Sequence, residues 1–251
     1  MRGRTAARWT RTALAAAALA LCACASPDKA EDGAFYSYDI EAGYLDPDTQ
    51  SLASAGEITR GASGTSGEAT QQGAVGKLST GCTAVLVLQD TAVTAAHCLL
   101  NDRGGPRLRK MTVTIGQDSA IGAKAWIPVS YLEGNRTADW AVIRLDRSFD
   151  DKHGTMRLVD SGLAVGDEVT ISVQQGEGES VAGSVTAVDG LTLSLSADSH
   201  SGLSGSPVSA LGASGTFVGI HVSGRPQEKT ATAVIIGDQL VKLLDEAQGS
   251  G

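Results

Sequence analysis

Ser204 lies in the stretch Ser201-Gly202-Leu203-Ser204-Gly205-Ser206-Pro207, where glycines on both sides allow the backbone to turn sharply around one hydroxyl. A serine hydroxyl is a weak nucleophile at neutral pH, so using one requires an adjacent base and donors for the oxyanion it creates. The amides of Gly202 and Ser204 can converge to supply those donors. Gly/Ser clusters are usually plain loops, so the stretch gains weight only from partners elsewhere. Two stand upstream. Thr94-Ala95-Ala96-His97-Cys98 closes an apolar run, Thr83 to Thr94, that reads as two strands joined at Gln89-Asp90, which puts His97 just past a strand end. Ala138-Asp139-Trp140-Ala141-Val142-Ile143-Arg144-Leu145 places a carboxylate directly before an alternating strand. Taken singly, His97 reads as a core histidine, Asp139 as a turn residue and Ser204 as a loop residue. Histidine, aspartate and serine in that order form one of the sequences in which an acid–base–nucleophile triad occurs.

The stretches TAAHC, DWAVIRL and GLSGSP resemble the three signatures of the trypsin-like (chymotrypsin-fold) serine peptidases, over roughly Ala74 to Gln248. The resemblance implies a serine endopeptidase with His97 as base, Asp139 as its orienter and Ser204 as nucleophile. It further implies an oxyanion hole from the Gly202 and Ser204 amides, protein or peptide substrates, and no metal or organic cofactor. It also implies a disulfide between Cys82 and Cys98, as in the family's first hairpin; two buried free thiols are the other reading, and the less fitting one in an exported chain. Trypsin itself has an aspartate before the nucleophile that captures a freshly cut N-terminal amine. Leu203 stands there in this chain and cannot form that ion pair, so any propeptide would act by occlusion.

The resemblance gives two conflicting signals on specificity. Counted back from Ser204, Asp198 and Ser199 fall where trypsin has the base of its primary pocket, and Gly224 falls on a pocket-wall glycine, a set that selects Arg or Lys. Gly219-Ile220-His221 instead resembles the segment in which bacterial glutamyl endopeptidases carry a pocket histidine, with Ser199 as an assisting hydroxyl. The strand carrying His221 has the firmer register, which tips the expectation toward cleavage after acidic residues. Cleavage after Arg or Lys stays open, as does an inactive peptidase scaffold that only binds peptides.

The elements that must position these residues are short. Val85–Leu88, Met111–Ile115, Trp140–Leu145, Val169–Val173, Ser184–Val188, Leu191–Leu195, Phe217–Val222 and Ala231–Ile236 are Val/Ile/Thr-rich runs between Gly/Asp turns, the pattern of an all-β sandwich or barrel. The resemblance selects two six-stranded antiparallel barrels with the triad between them. Asp238 to Ala247 reads as a C-terminal amphipathic helix with Leu240, Val241, Leu243 and Leu244 on its apolar side and Asp238 as N-cap.

Ahead of this body the chain changes character. Arg2, Arg4, Arg8 and Arg11 precede the apolar run Ala13 to Ala23, too short for a permanent membrane span and shaped like an export signal. Leu21-Cys22-Ala23-Cys24 resembles a bacterial lipobox with Cys24 as the lipidated residue; ordinary cleavage near Ala25 would give a secreted product instead. Removing those four arginines deepens the net charge from −8 to −12, a balance unsuited to nucleic acid or to anionic lipid surfaces. Contact with a membrane is therefore expected only through a lipid anchor. The division expected is a leader over 1–23, a tether or short propeptide over 24–73 and a peptidase domain over 74–251. Within the tether, Ala34-Phe35-Tyr36-Ser37-Tyr38-Asp39-Ile40 has aromatics that can dock on the body as an added strand.

Overall fold

The computed structural model describes residues 34–40, 71–101, 104–107, 110–160, 162–174 and 180–249. The leader with Cys22 and Cys24, and the Gly61 to Gly67 stretch, lie outside the described residues. The first seven strands are β1 Phe35–Asp39, β2 Val75–Leu78, β3 Thr83–Leu88, β4 Thr91–Thr94, β5 Thr112–Ile115, β6 Asp118–Pro128 and β7 Ala141–Leu145, with a single helical turn α1 Val129–Leu132 between the last two. They are followed by β8 Arg157–Leu158, β9 Glu168–Ile171, β10 Val181–Asp189, β11 Thr192–Ala197, β12 Pro207–Ala210, β13 Thr216–Phe217, β14 Gly219–Arg225, β15 Thr230–Ile235 and the helix α2 Asp238–Gly249.

Two closed six-stranded antiparallel barrels result, with α2 at the end, as the sequence pattern and the resemblance together imply. The first runs β6-β5-β2-β3-β4-β7 and closes through the β6–β7 pairing; the second runs β10-β11-β15-β14-β12-β9. Alternation drives the second barrel: Val169 and Ile171 of β9, and Leu193, Leu195 and Ala197 of β11, point inward while their neighbours face out. In the first barrel β3 is buried almost throughout, which fits a strand covered on both faces. Phe217, Ile220 and Val234, together with Leu240 and Leu243 of α2, join the same apolar cluster as the first barrel and so tie the two halves together.

The aromatic segment does add a strand. β5 pairs with β6 only up to Ile121, leaving the far half of the eleven-residue β6 with an open edge, and β1 covers that edge from Phe35↔Pro128 to Asp39↔Lys124. Tyr38 and Ile40, two residues apart, are buried, and Phe35 meets Trp140 edge-on at 5.5 Å. The Ile40 side chain occupies the space that a Cβ on Gly122 would need. Ile40→Ala should therefore cost about 2–5 kcal/mol in a urea titration of the full chain, as buried Ile truncations do. An unmoved midpoint would mean that the strand adds nothing to the fold.

The structure departs from the sequence reading in three places. The run Phe217–Val222 divides at Val218, because its two parts pair with different partners: β13 lies parallel to β8, whereas β14 pairs with β12 and β15 in the barrel, where Gly219 passes close to the Val234 carbonyl. Val241 is exposed, since it is rotated about a third of a turn from Leu240, and only Leu240 and Leu243 are fully buried. The helix also begins at Asp238 itself and reaches Gly249.

Candidate active site

Strand pairing brings the histidine and the aspartate together. β4 and β7 are antiparallel with Thr94 opposite Ala141, so the residues just after β4 and just before β7 emerge at the same end of the barrel. His97 sits there in a short 3-10 turn, Ala96–Cys98, and Asp139 follows another, Arg136–Ala138, capped by the Asn135 side chain. His97 Nδ1 lies 2.8 Å from Asp139 Oδ2, and the other carboxylate oxygen accepts the His97 backbone N–H at 3.0 Å. An ionised carboxylate only accepts, so Nδ1 carries the hydrogen and Nε2 keeps its lone pair for the cleft. Asp139 is buried, whereas the imidazole is one-third exposed. Beside them Cys82 and Cys98 form a disulfide with Cα atoms 6.1 Å apart, tying β3 to the histidine turn. Cys82, His97 and Cys98 are close enough to suggest a metal site, but sulfurs bonded to each other are not thiolate ligands.

The loop around Ser204 is stitched to both barrels. Toward the first, Thr83 N–H donates to the Ser204 carbonyl at 2.8 Å and Thr83 Oγ1 to the Gly202 carbonyl at 2.8 Å, while Thr94 Oγ1 holds Thr83 within that barrel by donating to its carbonyl at 2.6 Å. Toward the second, Gly205 N–H donates to the His221 carbonyl at 2.7 Å and His221 N–H to the Ser206 carbonyl at 2.8 Å. Gly205 has φ +86° and a Cβ there would lie 2.1 Å from the Thr83 carbonyl oxygen, so this position needs a glycine twice over. Leu203, 1% exposed, anchors the loop in the core of the second barrel, an apolar hold at the position where the resemblance has an ion pair. With the Gly202 and Ser204 carbonyls drawn back toward Thr83, neither of their own amides has a protein acceptor among the described residues, which leaves both free to face an oxyanion. Ser204 is half-buried; among the described residues no hydrogen bond joins its hydroxyl to His97. The two meet at Cys98, whose Sγ lies 3.7 Å from His97 Nε2 and 3.9 Å from the Ser204 carbonyl oxygen.

On the other side of Ser204, His221 and Ser199 form a buried pair with Nε2 and Oγ 3.0 Å apart. Gly224 packs so tightly on Ser199 that a Cβ would meet its Oγ at 2.2 Å. Asp198 is not part of this group. Its side chain is 68% exposed and faces Lys229, 3.8 Å away, because alternation along the chain after β11 turns Ser199 in and Asp198 out. Burial, reinforced by the neighbouring His97 and His200, pushes His221 down to about 4, so at neutral pH it is uncharged. Its Nδ1 has only a weak approach to the Leu203 carbonyl and no hydrogen bond of normal geometry.

Sequence reasoning missed Thr83 and Thr94, whose roles are visible only once the loop docks on them. It also missed Tyr131 and Arg136, although a cation three residues before Asp139 is a signal that could have been followed.

The Trypsin family model matches residues 58–180, the span that holds His97 and Asp139. No curated protein matches the chain. Among solved structures, a Glu endopeptidase in complex with MPD aligns over 74% of this chain and 95% of its own, with TM-score 0.62 and 21% identity. A thermostable serine protease from an extremophilic microorganism aligns over 71% and 97%, with TM-score 0.58 and 16% identity. Neuropsin from mouse brain, a serine protease, aligns over 66% and 90%, with TM-score 0.52 and 19% identity.

Proposed function

We propose that this chain, which has the two-barrel chymotrypsin-like fold and matches the Trypsin family model over residues 58–180, is an exported serine endopeptidase working through Ser204, His97 and Asp139. The observation that carries this reading is the carboxylate-held imidazole beside a glycine-flanked serine with two unclaimed amides. Ser204 Oγ attacks the scissile carbonyl, and His97 Nε2 takes its proton and later returns it to the leaving amine. Asp139 keeps the ring in the productive tautomer and stabilises its cation. The Gly202 and Ser204 amides hold the oxyanion, each such donor being worth about 3–4 kcal/mol in comparable sites. Water then repeats the attack on the acyl-enzyme.

The pocket favours acidic side chains. A cationic substrate needs a buried counter-charge, and Asp198, the candidate that the resemblance offered, turns outward, whereas Ser199 and neutral His221 offer hydrogen-bond donors to a carboxylate. The structural likeness to a Glu endopeptidase points the same way. A positional-scanning peptide library should show cleavage after Glu, and His221→Val should reduce it roughly 10- to 150-fold, the cost of removing a hydrogen bond to a charged group. Asp198→Ser should leave the preference intact. Cleavage after Arg or Lys that disappears in Asp198→Ser would reverse the assignment.

Export and anchoring through Cys24 belong to the same proposal. The Cys82–Cys98 disulfide supports an oxidising destination. No helix among the described residues is long and apolar enough to cross a membrane; the proposed attachment is a lipid at Cys24. Intact-mass analysis of the mature protein should find a lipidated N-terminal Cys24, and an unmodified terminus beyond it would make the product a secreted one.

A further inference from the structure

His97, but neither Ser199 nor His221, lines a cavity of about 650 Å³. Its walls are apolar where Leu100, Leu132 and Tyr131 contribute, and among the described residues Arg107 and Arg136 line it and no carboxylate does. Among the described residues neither arginine has an acidic partner. Arg136 is nonetheless held in place, with Nη1 donating to the Tyr131 hydroxyl at 3.3 Å and the guanidinium 5.5 Å from that ring's centre. The turn that carries it is fixed by Asn135, whose Oδ1 accepts from the Thr137 N–H at 3.0 Å and from its hydroxyl at 2.8 Å. Arg107 is tied to the end of the histidine turn by its own N–H, which donates to the Leu99 carbonyl at 2.7 Å.

We propose that this cavity selects an acidic side chain at the substrate residue immediately before the one whose carbonyl is attacked, with Arg107 and Arg136 as the specificity-determining cations. The proposal rests on the reading of Ser204 as the attacking group. A peptide bound in extended form turns successive side chains to opposite sides. The side chain seated against Ser199 and His221 thus sends its predecessor's side chain past His97 and into the cavity. Two guanidiniums lining the cavity, neither with an acidic partner among the described residues, attract a carboxylate there and repel an ammonium, and a planar guanidinium suits a carboxylate by geometry as well as charge. Both side chains are exposed, so the attraction is modest and is screened by salt. The preferred substrates are then segments with two consecutive acidic residues, a narrower class than single-site acidic specificity would give.

The test uses hexapeptides that differ only at the second residue before the cut, Glu, Ala or Lys, with the residue before the cut held as Glu in one set and as Arg in another. The kcat/KM is measured on the full-length wild type, and binding is measured by fluorescence anisotropy on the full-length Ser204→Ala chain, which holds peptide without turning it over. Glu should exceed Lys by about tenfold in both readouts, and the ratio should shrink as salt is raised. In the Arg107→Gln/Arg136→Gln double variant the Glu to Lys ratio should fall to about twofold or less. Equal handling of Glu and Lys by wild type would overturn the proposal, as would a preference that survives loss of both arginines. Failure to cleave any peptide, with the anisotropy preference and its loss in the double variant intact, would remove the peptidase reading while leaving the acidic subsite standing.

Discussion

Asp139→Asn should lower kcat about 10⁴-fold and leave the unfolding midpoint of the chain close to wild type. The two effects separate because the aspartate acts on the imidazole, and the exchange of one carboxylate oxygen for an amide nitrogen barely changes volume. Asp139 Oδ2 accepts from His97 Nδ1 at 2.8 Å; an amide nitrogen in that place donates instead, and the ring turns to the tautomer whose Nε2 already bears a hydrogen. Such a ring cannot take the Ser204 proton. His97→Ala and Ser204→Ala should remove at least as much activity, and combining all three should cost little more than the worst single change, since in the proposed mechanism the three residues act as one unit. A Ser204→Ala protein with near-native turnover would contradict the assignment of the nucleophile.

Removing the disulfide should have the second large effect. Cys82 and Cys98 are 16 residues apart, and closing a loop of that size stabilises a folded chain by about 3 kcal/mol in the chain-entropy model. The Cys82→Ser/Cys98→Ser variant should therefore unfold at markedly lower denaturant. Activity should fall as well, because Cys98 follows His97 directly and its Sγ lies 3.9 Å from the Ser204 carbonyl, where base and nucleophile loop meet. Chevron or equilibrium unfolding with the parent chain under oxidising conditions supplies the comparison. An equal midpoint for the two would show that the bridge constrains nothing that packing does not already hold.

Local pattern carried more of this molecule than long-range pattern did. The hairpin Thr83 to Thr94 and its trailing His97 could be read because apolar runs, a polar turn and a strand end all fall within a dozen residues. Strand β6 left no such trace. Its eleven residues alternate only in part, since one end faces β5, the other faces β1, and Gly122 opens it to the Ile40 side chain. The site shows the same division. His97, Asp139 and Ser204 announce themselves by type and order, and Gly224 by its place beyond His221. The direction of Asp198 depends on how one chain segment leaves β11, and the brace from Thr83 to the Ser204 loop depends on two barrels docking across more than a hundred residues. Counting positions from a motif placed Asp198 at the pocket floor; the alternation of the backbone places it in solvent.

Whether Ser204 is a nucleophile can be read directly by titrating the full-length protein with a serine-directed phosphonate and locating the adduct by peptide mass. Stoichiometric modification at Ser204, absent in Ser204→Ala and strongly slowed in His97→Ala, is the result expected of an active site built on this hydroxyl. A protein that stays unlabelled while still binding peptides would instead be a peptidase scaffold used for recognition alone.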